Sequence, residues 1–183
     1  MFVIFRQPTR AGRKPQAPPT VVDAIAIDGP WKVDFQSGRG APASITLPTL
    51  TSWTAHSDAG VRYFSGNAKY SKRFTVPAGW REARLDLGKL WAVGDIWLNG
   101  KPLGIVWTPP YAVDCTAALR DGENELVVEV TNTWFNRLAG DAKLPESQRI
   151  TRTNTPSSGG TPWTALDPID SGLFGPVRLE RLR

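Results

Sequence analysis

The sequence predicts an all-β protein, an antiparallel two-sheet β-sandwich of jelly-roll type. From Trp31 onward, short runs alternate apolar and polar residues with a period of two, the mark of half-buried strands. These runs are punctuated by turn formers, the chain holding 17 glycines and 16 prolines, and helical periodicity is nearly absent. A chain of 183 residues suits one core that buries about 70% of its unfolded surface, which leaves no room for a second catalytic domain.

Taken in order, Met1 to Phe5 form an apolar run that Arg6 ends, too short for the apolar stretch of a signal peptide. It reads as a strand remnant, and no signal peptide is expected. Pro8, Pro15, Pro18 and Pro19 among basic residues then read as an extended linker. The expected division is residues 1–20 as strand remnant and proline-rich basic linker, and 21–183 as the sandwich, cut from a longer polypeptide. Further on, Ala68, Tyr70, Phe74 and Val76 share one strand face opposite Asn67, Lys69, Ser71, Arg73 and Thr75. Ala83, Leu85 and Leu87 alternate with Arg84 and Asp86. Runs at 93–98 and 104–107 flank Asn99-Gly100, a pair suited to the positive φ angles of a tight hairpin. Asp114 can cap one short turn over 116–120, which Asp121-Gly122 closes. Leu126, Val128 and Val130 continue the alternation, and Val177 and Leu179, opposite Arg178 and Glu180, end it. Residues 132–172 read as one long polar loop, of the kind that in a compact domain is either functional or disordered.

Composition narrows the chemistry. Four of the five net positive charges belong to Arg6, Arg10, Arg13 and Lys14, so the folded part is nearly neutral and offers no phosphate-binding groove. Neither nucleic acid nor membrane is an expected partner, since no run approaches the ~18 apolar residues of a span. One cysteine, Cys115, and one histidine, His56, leave no multi-cysteine or paired-histidine metal site. Gly38-Arg39-Gly40-Ala41-Pro42-Ala43 has dinucleotide-fingerprint spacing, but a strand-like run follows where a helix is needed, so it reads as a turn. Cys115 reads as a core residue and His56 as an ordinary loop histidine with no nucleophile beside it. Glycoside hydrolysis needs only two carboxylates, and the long loop supplies Asp141, Asp167 and Asp170; Asp141 and Asp170 are the candidate catalytic pair.

Eight tryptophans stand against one methionine. Outside a core, flat indole faces suit the C–H faces of sugar rings while amides, carboxylates and guanidinium groups take the hydroxyls. Most of the eight are expected to pack between the sheets, with Trp107, Trp134 and Trp163 better placed for exposure beside loops. Two constellations are the strongest site material. Trp107-Thr108-Pro109-Pro110-Tyr111 turns two aromatics off a strand end on a stiff corner, and residues 132–141 gather two amides, a guanidinium and a carboxylate. The candidate sugar-binding residues are therefore Trp107, Tyr111, Trp134, Asn136, Arg137 and Asp141. A second reading stands beside this one, in which Asn136, Arg137 and Asp141 form a buried network that satisfies loop backbone groups.

An ordered set of motifs carries a family resemblance: Tyr63-Phe64-Ser65-Gly66-Asn67-Ala68-Lys69-Tyr70, Leu85-Asp86-Leu87-Gly88, Trp97-Leu98-Asn99-Gly100-Lys101, residues 107–111, Gly122-Glu123-Asn124, residues 132–141 and Ser171-Gly172-Leu173-Phe174-Gly175-Pro176-Val177. Over residues 30–183 the chain resembles the C-terminal β-sandwich of α-L-rhamnosidase-like glycoside hydrolases of family 106. More loosely, it is similar to the sugar-binding jelly roll of family 2 glycoside hydrolases. The resemblance implies a galactose-binding-like fold attached to a large hydrolase whose catalytic carboxylates lie in another, preceding domain. Carbohydrate and that catalytic domain of the same parent chain are the implied partners, and an extracellular or periplasmic setting the implied location. In family 2 relatives this domain reaches polar loop residues toward the active site, and by position Asn136, Arg137, Asp141 and Asp170 correspond. No cofactor is expected; calcium stays open through backbone and carboxylate oxygens, although no ordered acidic loop calls for it. Three readings result: a carbohydrate-binding accessory domain, a small stand-alone glycoside hydrolase, and a structural brace for a catalytic domain.

Overall fold

A computed structural model describes residues 19–183, so the strand remnant and nearly all of the linker expected at 1–20 lie outside the described residues. In chain order the strands are β1 (Val21–Ala26), β2 (Trp31–Phe35), β3 (Ser44–Leu47), β4 (Asn67–Val76), β5 (Ala83–Asp86), β6 (Lys89–Trp91), β7 (Val93–Leu98), β8 (Lys101–Val106), β9 (Ala112–Asp114), β10 (Gly122–Thr131), β11 (Ser157–Ser158), β12 (Thr161–Pro162), β13 (Gly172–Gly175) and β14 (Arg178–Leu182). Two helices join them, α1 (Ala59–Arg62) and α2 (Phe135–Ala142). One sheet has the order β3-β2-β4-β10-β7-β8, the other β1-β14-β5-β9. Small pairs β13-β6 and β11-β12 lie outside them. Every pairing between these strands is antiparallel, which bears out the two-sheet sandwich.

The alternation read from the sequence is the alternation of burial. Along β10, Leu126, Val128 and Val130 are sealed inside while Glu123, Glu125 and Thr131 face out. From the opposite sheet, Leu85 and Leu179 meet them in the same core. At one end this core is aromatic. Trp53 packs edge-on against Phe35 and Phe64 and parallel to Tyr70, at 10° between ring planes.

Two of the sequence motifs clamp each other. Asn99 (φ 53°) and Gly100 (φ 76°) make the positive-φ turn between β7 and β8. The Asn99 amide also donates to Asn124 Oδ1 at 2.7 Å and to the Ala118 carbonyl at 2.9 Å, while the Glu125 N–H donates to Asn99 Oδ1. Asn124 in turn donates to the Arg120 and Gly122 carbonyls and so closes the turn before β10. Asp114 caps that turn as expected, accepting from Thr116 N at 2.8 Å.

Residues 132–172 depart from expectation. Instead of one irregular loop they hold α2, the short hairpin β11-β12 and two single 3-10 turns at Glu146–Gln148 and Trp163–Ala165. Phe135, Leu138, Ala139 and Ala142 recur at helical spacing over only eight residues, while the face turned inward is largely polar: Asn136, Arg137 and Asp141 are buried on it beside Ala139 and Gly140. Gly140 is needed there, since a Cβ would meet the Tyr63 ring at 2.6 Å.

Candidate functional site

The site region is built where β10 ends and α2 begins. Asn132 donates its amide to the Phe64 carbonyl and to Ser171 Oγ, and accepts from Gly66 N. One helical turn on, Asn136 donates to Ser171 Oγ at 3.0 Å and the Ile169 carbonyl at 2.8 Å, and accepts from Ile169 N. These two amides bolt α2 to the segment that enters β13. Asn136 is 1% exposed and every polar atom of its side chain is engaged, so it is an interior clamp and not a sugar ligand.

Arg137 and Asp141 are likewise interior, at 4% and 2% exposure. They face each other one helical turn apart, Nη2 to Oδ1 at 3.0 Å. The other carboxylate oxygen, Oδ2, accepts from Ile150 N, Thr151 N and Thr151 Oγ1 at 3.1, 2.7 and 2.6 Å. Asp141 thereby ties residues 150 and 151 to α2. Of the two readings open in the sequence, the buried network is the one the geometry realises. Apart from this ion pair Asp141 Oδ1 has no partner among the described residues, and Arg137 Nε has none.

The aromatic candidates separate. Trp107, just beyond β8, is 70% exposed, and Trp134, ahead of α2, is 47% exposed with the Arg39 guanidinium 4.5 Å from its ring. Tyr111 differs from expectation: it is half-buried and packed on the core, its carbonyl accepting from Leu87 N, so its ring is not a free platform. Trp163 is also only half-buried, held by Nε1 donating to the Thr155 carbonyl at 2.8 Å and edge-on to Phe135. Trp91, 43% exposed, was not singled out by sequence position. It lies on β6, which pairs with β13 outside both main sheets, a placement that no local pattern announces.

The carboxylates expected as a catalytic pair have separate engagements. Asp170 is exposed and accepts from Thr54 Oγ1 at 3.2 Å, whereas Asp141 is spent on Thr151 and Arg137. Asp167 pairs with Lys143 at 3.4 Å. His56 accepts from Asp58 N through Nδ1 and so forms part of the turn into α1. The Gly38 to Gly40 segment is a turn, with φ of 73° and 86° at its glycines, whose Gly40 carbonyl lies against Gly60. Burial pushes the Cys115 thiol up to about 12, with Asp114 adding to the shift, which makes it inert. No group of three or more potential metal ligands occurs among the described residues.

One feature had no signal in the sequence. Between α2 and the segment 146–164 lies a cavity of about 370 Å³, lined on one side by Leu138 and Asp141 and on the other by Arg152, Thr153 and Trp163. Its walls come from residues 26 positions apart or less, yet they converge only because Asp141 pins Thr151 across the helix.

A family model described as glycosyl hydrolase 2 galactose-binding domain-like matches residues 54–167. The chain belongs to that family. This galactose-binding-like domain is 36% identical, over 89% of its length, to a putative β-glucuronidase from Formosa agariphila. Its structure is similar to that of a rhamnosidase from Novosphingobium sp. PP1Y, with a TM-score of 0.79 and 39% identity over 92% of the chain. A β-glucuronidase from Ruminococcus gnavus matches more loosely, at a TM-score of 0.52 and 26% identity over 60% of the chain. The chain spans 16% of the first two relatives and 21% of the third. Among the described residues no helix is long and apolar enough to cross a membrane.

Proposed function

We propose that the chain is the galactose-binding-like accessory domain of a rhamnosidase-type glycoside hydrolase, acting outside the cell, and that it contacts carbohydrate by stacking on its open indole rings. The observation that supports the parent's type is the likeness to the Novosphingobium rhamnosidase across 92% of the chain. Support for the contact comes from Trp107, whose ring stands bare at a strand end. Trp134 offers a second, partly screened surface. Catalysis belongs to another domain of the parent in this reading, since Asp141 is engaged inside and Asp170 has no carboxylate partner assigned to it. Affinity electrophoresis through a rhamnose-containing polysaccharide tests it: the chain should be retarded, and Trp107→Ala should migrate freely. Unretarded migration of the unaltered chain overturns the contact.

A brace for the catalytic domain is the second reading, favoured by an apolar strip at the β8 edge of the six-stranded sheet. Ile105 lies opposite Asp95, and Trp107 follows Val106, the partner of Gly94; Ile105 is 62% and Val93 37% exposed. Ile105→Lys would release a separately expressed catalytic domain in this reading and leave retardation by polysaccharide unchanged.

A further inference from the structure

We infer that the cavity between α2 and segment 146–164 binds one pyranose ring, a second carbohydrate site apart from the exposed Trp107 and Trp134 surfaces. The inference rests on the carbohydrate reading above. At about 370 Å³ the cavity is of the size that takes a small ligand rather than a chain of several rings. Its lining combines an indole, Trp163, with threonine hydroxyls, guanidinium groups and carboxylates. A flat ring takes the C–H face of a sugar, and the polar groups supply both donors and acceptors for its hydroxyls. An aliphatic ligand would leave those polar groups unmatched. Asp141 is already paired with Arg137, so Glu146 alone stands against Arg149 and Arg152, and their guanidinium groups add donors for ring hydroxyls.

Two features show that the site is preset. Trp163 is held by its bond to the Thr155 carbonyl and its edge contact with Phe135, 5.5 Å between centroids, so little ordering is left for binding to cost. Asp141, 2% exposed, is a fixed part of the wall, one carboxylate oxygen paired with Arg137 Nη2 at 3.0 Å and the other accepting from Thr151.

Isothermal titration of the 183-residue chain with L-rhamnose is the test, with cyclohexanol and inorganic phosphate as apolar and anionic controls. Rhamnose should bind saturably in the millimolar range and neither control should. Trp163→Ala and Arg152→Ala should each weaken rhamnose by about tenfold, while Trp107→Ala leaves it unchanged. Arg152 is exposed, so its variant guards against a Trp163→Ala result that reflects misfolding. Rhamnose binding kept in both cavity variants but lost in Trp107→Ala overturns the cavity site alone. No rhamnose binding by the unaltered chain, with polysaccharide retardation intact, also overturns it and leaves the accessory-domain reading standing.

Discussion

Asp141→Ala is the perturbation that separates an architectural carboxylate from a surface one. It removes the acceptor of Ile150 N, Thr151 N and Thr151 Oγ1 and leaves the Arg137 guanidinium, 5% exposed as a side chain, facing no opposite charge among the described residues. Breaking a buried pair by deleting one partner costs about 3–5 kcal/mol, most of it from the charge left behind. With a urea slope of about 2.5 kcal/mol per M for a chain of this size, a loss of about 4 kcal/mol lowers the unfolding midpoint by about 1.6 M. The assay is urea unfolding followed by tryptophan fluorescence. Arg137→Ala in the same background supplies a cycle: Asp141→Ala should cost about 1–3 kcal/mol less when the guanidinium is already gone. A loss under about 1 kcal/mol for the single variant would refute the reasoning, because a carboxylate with that little effect could not be holding segment 150–151.

Gly172→Ala should destabilise by about 3 kcal/mol in thermal melts, since φ is +108° and the new Cβ would lie 2.7 Å from Tyr70 Oη and 2.9 Å from Trp53 Cε2, both rigid core groups. Gly100→Ala, where φ is +76° but the space is open, should cost only about 1 kcal/mol, and equal losses would sink the packing part of the argument. Cys115 should resist iodoacetamide in the native protein and react after unfolding; labelling of the native thiol at about pH 8 would contradict its burial. Because its folded pKa of about 12 lies above the ordinary 9.0, the protonated thiol favours the fold, and that contribution is lost as pH climbs from 9.0 toward 12. Tyr70, raised by its own burial, weakens the fold in the same alkaline direction.

The sequence by itself determined the layers, because a strand half-buried on one side writes its environment into alternate residues. Leu126, Val128 and Val130 could be placed inside without coordinates, and Asn99-Gly100 could be placed at a hairpin, since both signals are local. Family membership was legible for a related reason. Asn124, Asn132 and Ser171 each donate to a particular backbone carbonyl and Gly172 leaves room for the Tyr70 and Trp53 side chains, so each residue type in the pattern has a specific structural task.

Only the tertiary structure decided which polar groups were free to act. Asn136 and Arg137 look from the sequence like ligands, and α2 looks like loop, because a buried polar face has the composition of an exposed one. What distinguishes them is a set of partners far away in the chain, Ile169 and Ser171 for Asn136 and Ser65 for the Arg137 backbone. Tyr111 and Trp107 stand four residues apart with the same kind of side chain, yet one rests on the core and the other in solvent. Burial is set by what the opposite sheet brings to meet a residue, and that is a property of the packed molecule rather than of its neighbours in sequence.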